Sequence, residues 1–220
     1  MIDKSKFKLL DNGSYKSLEF DNPSNIYFDN YWSSNRNHST IDEQVFNVIG
    51  KNELVKSKIT NIEPKCILEI ACAPGFLLGE LSDDYKTFGI EVDKKYESEI
   101  KKYAKSSELL FGFFPEVTKN LESEKFSNII ALDVIEHVED GNSFIKECNR
   151  LLIKDGILII QAPIILEDGL VNDSMFHYIE HIWIYSIKHL SELLNKNGFK
   201  VIDINRWESG HEQITSIKTK

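Results

Sequence analysis

From Pro64 onward, short apolar and β-branched runs alternate with segments whose apolar residues recur at helical spacing, the pattern of strands joined by crossover helices. Seven strands are predicted at 66–71, 86–92, 108–111, 128–133, 157–162, 200–206 and 213–218, with helices at 75–81, 95–104, 115–121, 142–152 and 186–197. Ile67-Leu68-Glu69-Ile70 and Ile157-Leu158-Ile159-Ile160 are almost continuously apolar, as strands are when helices cover both sheet faces, so both belong at the centre. Gly198 suits the position just past the last helix. The connection 207–211 leaves no room for a helix, so the last two strands should pair antiparallel. The expected fold is α/β: a seven-stranded, mostly parallel sheet with its last strand antiparallel and helices on both faces.

Residues 1–60 differ, being rich in Asn, Ser, Lys and aromatics without a sustained strand pattern. Thr40-Ile-Asp-Glu43 has the form of a capping box, and Ile41, Val45, Val48 and Ile49 follow at helical spacing, so an amphipathic helix is expected there. Residues 35–39 read as a loop, open to a role in covering a ligand. The chain thus divides into an N-terminal helical extension, 1–60, and a main domain, 61–220.

Charge narrows the partners. With 26 basic and 35 acidic side chains, a formal net charge of −9 and no basic run, the chain attracts a phosphate backbone weakly, so nucleic acid is not an expected partner. Its most apolar segment, 156–166, is broken by Gln161 and Pro163, and the first residues lack a long apolar stretch, so neither a membrane span nor a signal peptide is expected. A cytoplasmic location follows from that reading. Cys66, Cys72 and Cys148 show no CxxC spacing and are expected to be buried free thiols.

The chemistry concentrates at strand ends. Leu68-Glu69-Ile70-Ala71-Cys72-Ala73-Pro74-Gly75 runs from a buried strand through a turn of small residues into a helix, letting a ligand approach the main chain at the sheet's carboxyl edge. The next strand ends in Gly89-Ile90-Glu91, a carboxylate where a ribose diol would lie. The fourth ends in Asp133-Val-Ile-Glu-His-Val138, and Arg150-Leu-Leu-Ile-Lys-Asp-Gly156 leads into the fifth.

On these three segments the chain, over roughly 41–218, resembles the class I S-adenosylmethionine-dependent methyltransferases, whose fold is Rossmann-like. The resemblance implies S-adenosylmethionine as cofactor, lined by Glu69, Ala71, Cys72, Ala73, Gly75, Glu91, Leu132 and Asp133, with the N-terminal segment capping it. Two departures stand out. Ala71 and Ala73 replace the family's first two glycines, where a Cβ costs most if φ is positive or the cofactor presses on the backbone. In Gly112-Phe113-Phe114, Phe113 stands where many relatives carry an Asp that bonds the adenine amino group; it is left to flank the adenine or to join the core.

Methyl transfer to oxygen requires an aligned acceptor and removal of its proton. His137, just past a strand's carboxyl end, is placed to act as base, with a helix-cap or core role as the alternative. Asp133-x-x-Glu136-His137 also resembles the Glu-x-x-Glu-His metal motif of the ubiquinone-biosynthesis O-methyltransferases and the small-RNA 3′-terminal methyltransferases. By that likeness Asp133, Glu136 and His137 would hold Mg²⁺ or another divalent cation and lower the pKa of the reacting hydroxyl.

A further cluster, Phe176-His177-Tyr178-Ile179-Glu180-His181-Ile182-Trp183-Ile184-Tyr185, follows the fifth strand, where the family commonly faces its acceptor. Its aromatics and imidazoles suit a polyhydroxylated ring, so the expected catalytic group is His137, Glu136, His181 and His177. The expected reaction is O-methylation of a small sugar or nucleotide-linked glycan precursor, the alternative being a phenolic or quinone precursor. Two other classes compete. The Ala replacements fit a cofactor-binding module without activity, and His177-x-x-Glu180-His181 fits the inverted zinc-peptidase pattern, although the β-prone 182–185 denies it a long helix. The oligomeric state is left open.

Overall fold

The structure, a computed structural model, describes residues 6–18, 51–165, 176, 181–206 and 211–220. Ten strands and five α-helices occur among them: β1 (Phe7–Leu9), β2 (Tyr15–Ser17), α1 (51–58), β3 (Cys66–Ile70), α2 (Phe76–Leu81), β4 (Lys86–Glu91), α3 (Glu97–Tyr103), β5 (Glu108–Phe111), β6 (Phe126–Leu132), α4 (Gly141–Leu151), β7 (Leu152–Ile165), β8 (Trp183–Ser186), α5 (Ile187–Lys196), β9 (Phe199–Arg206) and β10 (His211–Lys218).

The seven predicted strands form one sheet in the order β5-β4-β3-β6-β7-β10-β9. β3 pairs in parallel with both β4 and β6, β6 with β7, and β10 runs antiparallel to β7 and β9. All five residues of β3 are buried. Helices on both faces are the reason. Val55 of α1 and Leu77 and Leu81 of α2 pack on Ile67, Ile130 and Ile159 from one side. From the other, Phe144, Ile145 and Cys148 of α4 and Leu190 and Leu194 of α5 pack on Leu68, Ile129 and Ile160. The three cysteines are free and buried, as expected.

Local signals set the helix ends. The Asp140 carboxylate accepts from Ser143 N–H at 3.0 Å to start α4, and the Ser186 hydroxyl accepts from His189 N–H at 3.1 Å to start α5. Gly198, at φ 82°, follows the last helix as expected.

Three differences from the sequence reading have physical causes. The N-terminal extension is not helical throughout: β1 and β2 form an antiparallel ladder, and β2 continues it onto β8. A strand of three residues is too short to show periodicity, and its pairing partner lies far along the chain. The helix expected at 115–121 is a single 3₁₀ turn, Glu116–Thr118. The Arg150 guanidinium donates to the carbonyls of Thr118 and Leu121 at 3.0 and 2.8 Å, taking acceptors that helix continuation would use. The fifth predicted strand starts earlier, at Leu152, and its pairing with β6 shifts register between Phe126, opposite Leu152, and Asn128, opposite Ile157. The capping box at 40–43, the apolar residues 41–49 and the loop at 35–39 lie outside the described residues.

Candidate active site

The carboxyl ends of β3, β4, β6 and β7 gather the residues singled out above. Ala71 leaves β3 at φ 60°, in the left-handed region, and is exposed; Ala73 has no positive φ. The family's first glycine position is therefore the one where this backbone needs glycine-like freedom, and alanine holds it under strain. Gly75, at φ 96°, precedes α2, and a Cβ there would meet Ile100 at 3.0 Å, so the turn and its close packing both require glycine. Cys72 turns its thiol into a small core of Leu78, Ile100 and Ala104, leaving only its backbone at the rim. Burial pushes that thiol well above the ordinary range.

Glu91 ties two loops together. Its carboxylate accepts from the N–H groups of Val92 and Asp93 at 2.8 and 3.1 Å, and from Ala73 N–H at 3.3 Å. Burial raises its pKa although these three donors oppose the shift. Glu69 is buried with one carboxylate oxygen unpartnered; burial, reinforced by the Glu91 charge, pushes it up to about 8. Leu132 is half-buried at the end of β6, and Phe113 is 39% exposed beyond β5, outside the core.

The structure divides the predicted metal group. Glu136, His137 and His181 converge, with one ligand atom from each inside a 4.8 Å span. Glu136 Oε1 lies 3.9 Å from His137 Nε2, and the His137 and His181 rings stand 5.1 Å apart, edge to face. Ile182 N–H donates to Glu136 O at 2.9 Å, which docks the segment before β8 against the turn after β6. Glu136 is 1% exposed and its Oε2 lacks a partner. Burial, together with the Asp133 charge, drives its pKa far above the carboxylate range.

Asp133 sits apart from that cluster, at φ 56°. Its carboxylate accepts from Gln161 Nε2 at 3.1 Å on both oxygens, with His211 Nδ1 at 3.0 Å and Lys51 Nζ at 3.4 Å. Burial disfavours its charge, but His211, Lys51 and Gln161 outweigh that and hold it below the usual carboxylate range. His177, Tyr178, Ile179 and Glu180 lie outside the described residues, so of the peptidase-like motif only His181 is placed. Strand β8 follows it directly at Trp183, where a peptidase helix would have continued.

Lys51, Gln161 and His211 were not singled out from sequence as site residues. Gln161 carried a signal, as a polar residue inside an otherwise apolar central strand. For Lys51 and His211 the signal is their contact with Asp133 alone.

The profile of the methyltransferase-domain family matches residues 41–204, three quarters of the chain. The chain belongs to the class I S-adenosylmethionine-dependent methyltransferase family. Among curated relatives it is 29% identical to the ubiquinone biosynthesis O-methyltransferase of Pelagibacter ubique over 153 residues, covering 68% of this chain and 56% of that protein. It is 28% identical to the enzyme of that name from Rickettsia typhi over 112 residues, covering 50% and 46%. The chain spans about half the length of the curated relatives it matches. In fold it is similar to a S-adenosylmethionine-dependent methyltransferase from Aquifex aeolicus, with TM-score 0.59, 18% identity and coverage of 76% and 89%. The YcgJ protein of Bacillus subtilis gives TM-score 0.63 at 13% identity, covering 78% and 99%. Among the described residues no helix is long and apolar enough to cross a membrane.

Proposed function

We propose that the protein methylates a hydroxyl oxygen of a small phenolic or quinone-precursor acceptor, using S-adenosylmethionine. The observation that carries this reading is the Glu136, His137 and His181 cluster, whose buried Glu136 Oε2 has no partner. A buried orphan carboxylate oxygen is costly unless a proton or a cation meets it. One carboxylate and two imidazoles form a donor set that suits a divalent first-row transition ion better than Mg²⁺, which prefers oxygen ligands. Such an ion would supply Lewis-acid charge beside the acceptor oxygen, and S-adenosylmethionine would supply the methyl group. The names of the curated relatives support the same acceptor class over the sugar expected from the aromatic and His-rich segment.

The residues have separable tasks under this reading. Glu91 takes the ribose hydroxyls of the cofactor, exchanging part of its bonding to Ala73, Val92 and Asp93 for them. Glu136, His137 and His181 bind and orient the acceptor oxygen from one side. Ile182, through its bond to the Glu136 carbonyl, keeps His181 in register with the turn. A second reading, in which His137 takes the acceptor proton without an ion, draws on the Glu136 carboxylate only 3.9 Å from its ring.

The test is mass-spectrometric detection of methyl transfer from S-adenosylmethionine to catechol, with and without a chelator. Transfer abolished by chelation and restored by Mn²⁺ or Zn²⁺ supports the ion-assisted reading; transfer indifferent to chelator selects His137 as base. Methylation confined to sugar hydroxyls overturns the acceptor class. No binding of S-adenosylhomocysteine by calorimetry would identify a module that has lost the cofactor.

A further inference from the structure

Beyond Asp133, the same sheet face carries two glutamines side by side at the carboxyl rim. Gln161 of β7 and Gln213 of β10 are directly opposed in an antiparallel ladder, so their side chains emerge together on one face. Both residues have 0% exposure. Gln161 is fixed at one end, its Nε2 donating to both Asp133 oxygens at 3.1 Å and its backbone carbonyl accepting from Asp133 N–H at 2.8 Å. Its Oε1 has no partner, and neither Nε2 nor Oε1 of Gln213 has one. Three amide atoms therefore stand without partners within one pair of neighbouring side chains.

Such an arrangement is expensive to keep. A buried amide without hydrogen bonds destabilises a fold, whereas leucine or methionine at the same place would pack without loss. The strand gives no local reason for the polarity, because β7 is otherwise apolar from Ile157 to Ile160. The unpartnered atoms also have a specific complement. Gln161 Oε1 needs a donor and Gln213 Nε2 needs an acceptor. One hydroxyl provides both, accepting from Gln213 and donating to Gln161. A carbonyl or an ether oxygen cannot donate and leaves Gln161 unsatisfied.

We infer that Gln161 and Gln213 form an acceptor-recognition subsite that receives a free hydroxyl of the methyl acceptor, distinct from the oxygen held near Glu136, His137 and His181. The inference rests on the O-methylation reading and names what else its acceptor must carry. Asp133 links the two regions: it fixes Gln161 and, with His211 of β10 at 3.0 Å and Lys51 of α1 at 3.4 Å, sets the amide orientation. Gln213 is thereby a specificity-determining residue, and Gln161 its fixed counterpart.

The experiment uses the full chain loaded with S-adenosylhomocysteine. Calorimetry compares catechol, hydroxyquinol and the methoxycatechol in which the extra hydroxyl is capped, each binding to wild type, Gln213→Met and Gln213→Leu. Wild type should prefer hydroxyquinol over the other two by about tenfold, one good hydrogen-bond pair's worth. Both variants should lose the preference while keeping their affinity for S-adenosylhomocysteine and for catechol, and neither should melt at a lower temperature than wild type. Equal preference in wild type and variants, no preference in wild type, or a lower melting temperature in both variants would overturn the subsite. Turnover separates this failure from that of the reading beneath it: catechol methylated by all three proteins while the hydroxyquinol preference is missing from wild type or survives in both variants sinks the subsite alone. If wild type neither binds nor methylates any of the three phenols, both fall together, while retained S-adenosylhomocysteine binding leaves the family assignment standing.

Discussion

His137 and His181 face each other with ring centroids 5.1 Å apart, although one follows β6 and the other precedes β8. Their meeting depends on β8 pairing with the far end of β7, Ile164 opposite Tyr185, and on the Ile182 N–H bond to the Glu136 carbonyl. The pair brings together, beside Glu136, two histidines that belong to separate segments of the chain.

Metal binding should depend on that convergence. His181→Ala is expected to remove stoichiometric Mn²⁺ or Zn²⁺ binding measured by calorimetry, while Asp133→Asn should change it by no more than about threefold. Affinity should rise with pH, because the proton that burial keeps on Glu136 must leave before the carboxylate can bind a cation. Affinity that falls with pH, or survives loss of His181, would remove the cluster from consideration.

Glu91 should matter to both loop order and cofactor. Glu91→Ala strips an acceptor from the N–H groups of Ala73, Val92 and Asp93 and removes the ribose contact. Weakening of S-adenosylhomocysteine binding by about tenfold or more is expected, a loss of roughly 1.4 kcal/mol. Unaltered affinity would show that the carboxylate serves the loops only.

At Ala71 the strain can be measured. Its φ of 60° costs an alanine about 1 kcal/mol that glycine does not incur, so Ala71→Gly should raise stability in urea unfolding by up to that amount. The greater freedom of glycine in the unfolded chain offsets part of the gain. A destabilised variant would contradict the left-handed backbone.

Glu69 gives a pH signature. An ordinary glutamate titrates near 4.5, and burial beside Glu91 raises Glu69 to about 8. Between these values the unfolded chain gives up a proton that the folded chain keeps, so stability falls as pH rises through the window. Glu69→Gln should therefore match wild type below the window and exceed it by roughly a few kcal/mol above it. The same stability difference at about pH 4 and about pH 8.5 would count against the shift.

The sequence by itself determined the seven-stranded core, because buried strands and amphipathic helices write their burial into periodicity that is local. It also marked the turn from Glu69 to Gly75 and the acid at Glu91, each set by its own strand end. Sequence had already grouped Glu136, His137 and His181; only the tertiary structure decided how the residues expected at the rim divide. His181 joins Glu136 and His137, Asp133 turns to His211, Lys51 and Gln161, and Gln213 stands opposite Gln161. These pairings arise where β10 and β8 close on β7 from distant parts of the chain. Register across a sheet is a non-local quantity, fixed by the packing of both faces at once, and no window of neighbouring residues contains it.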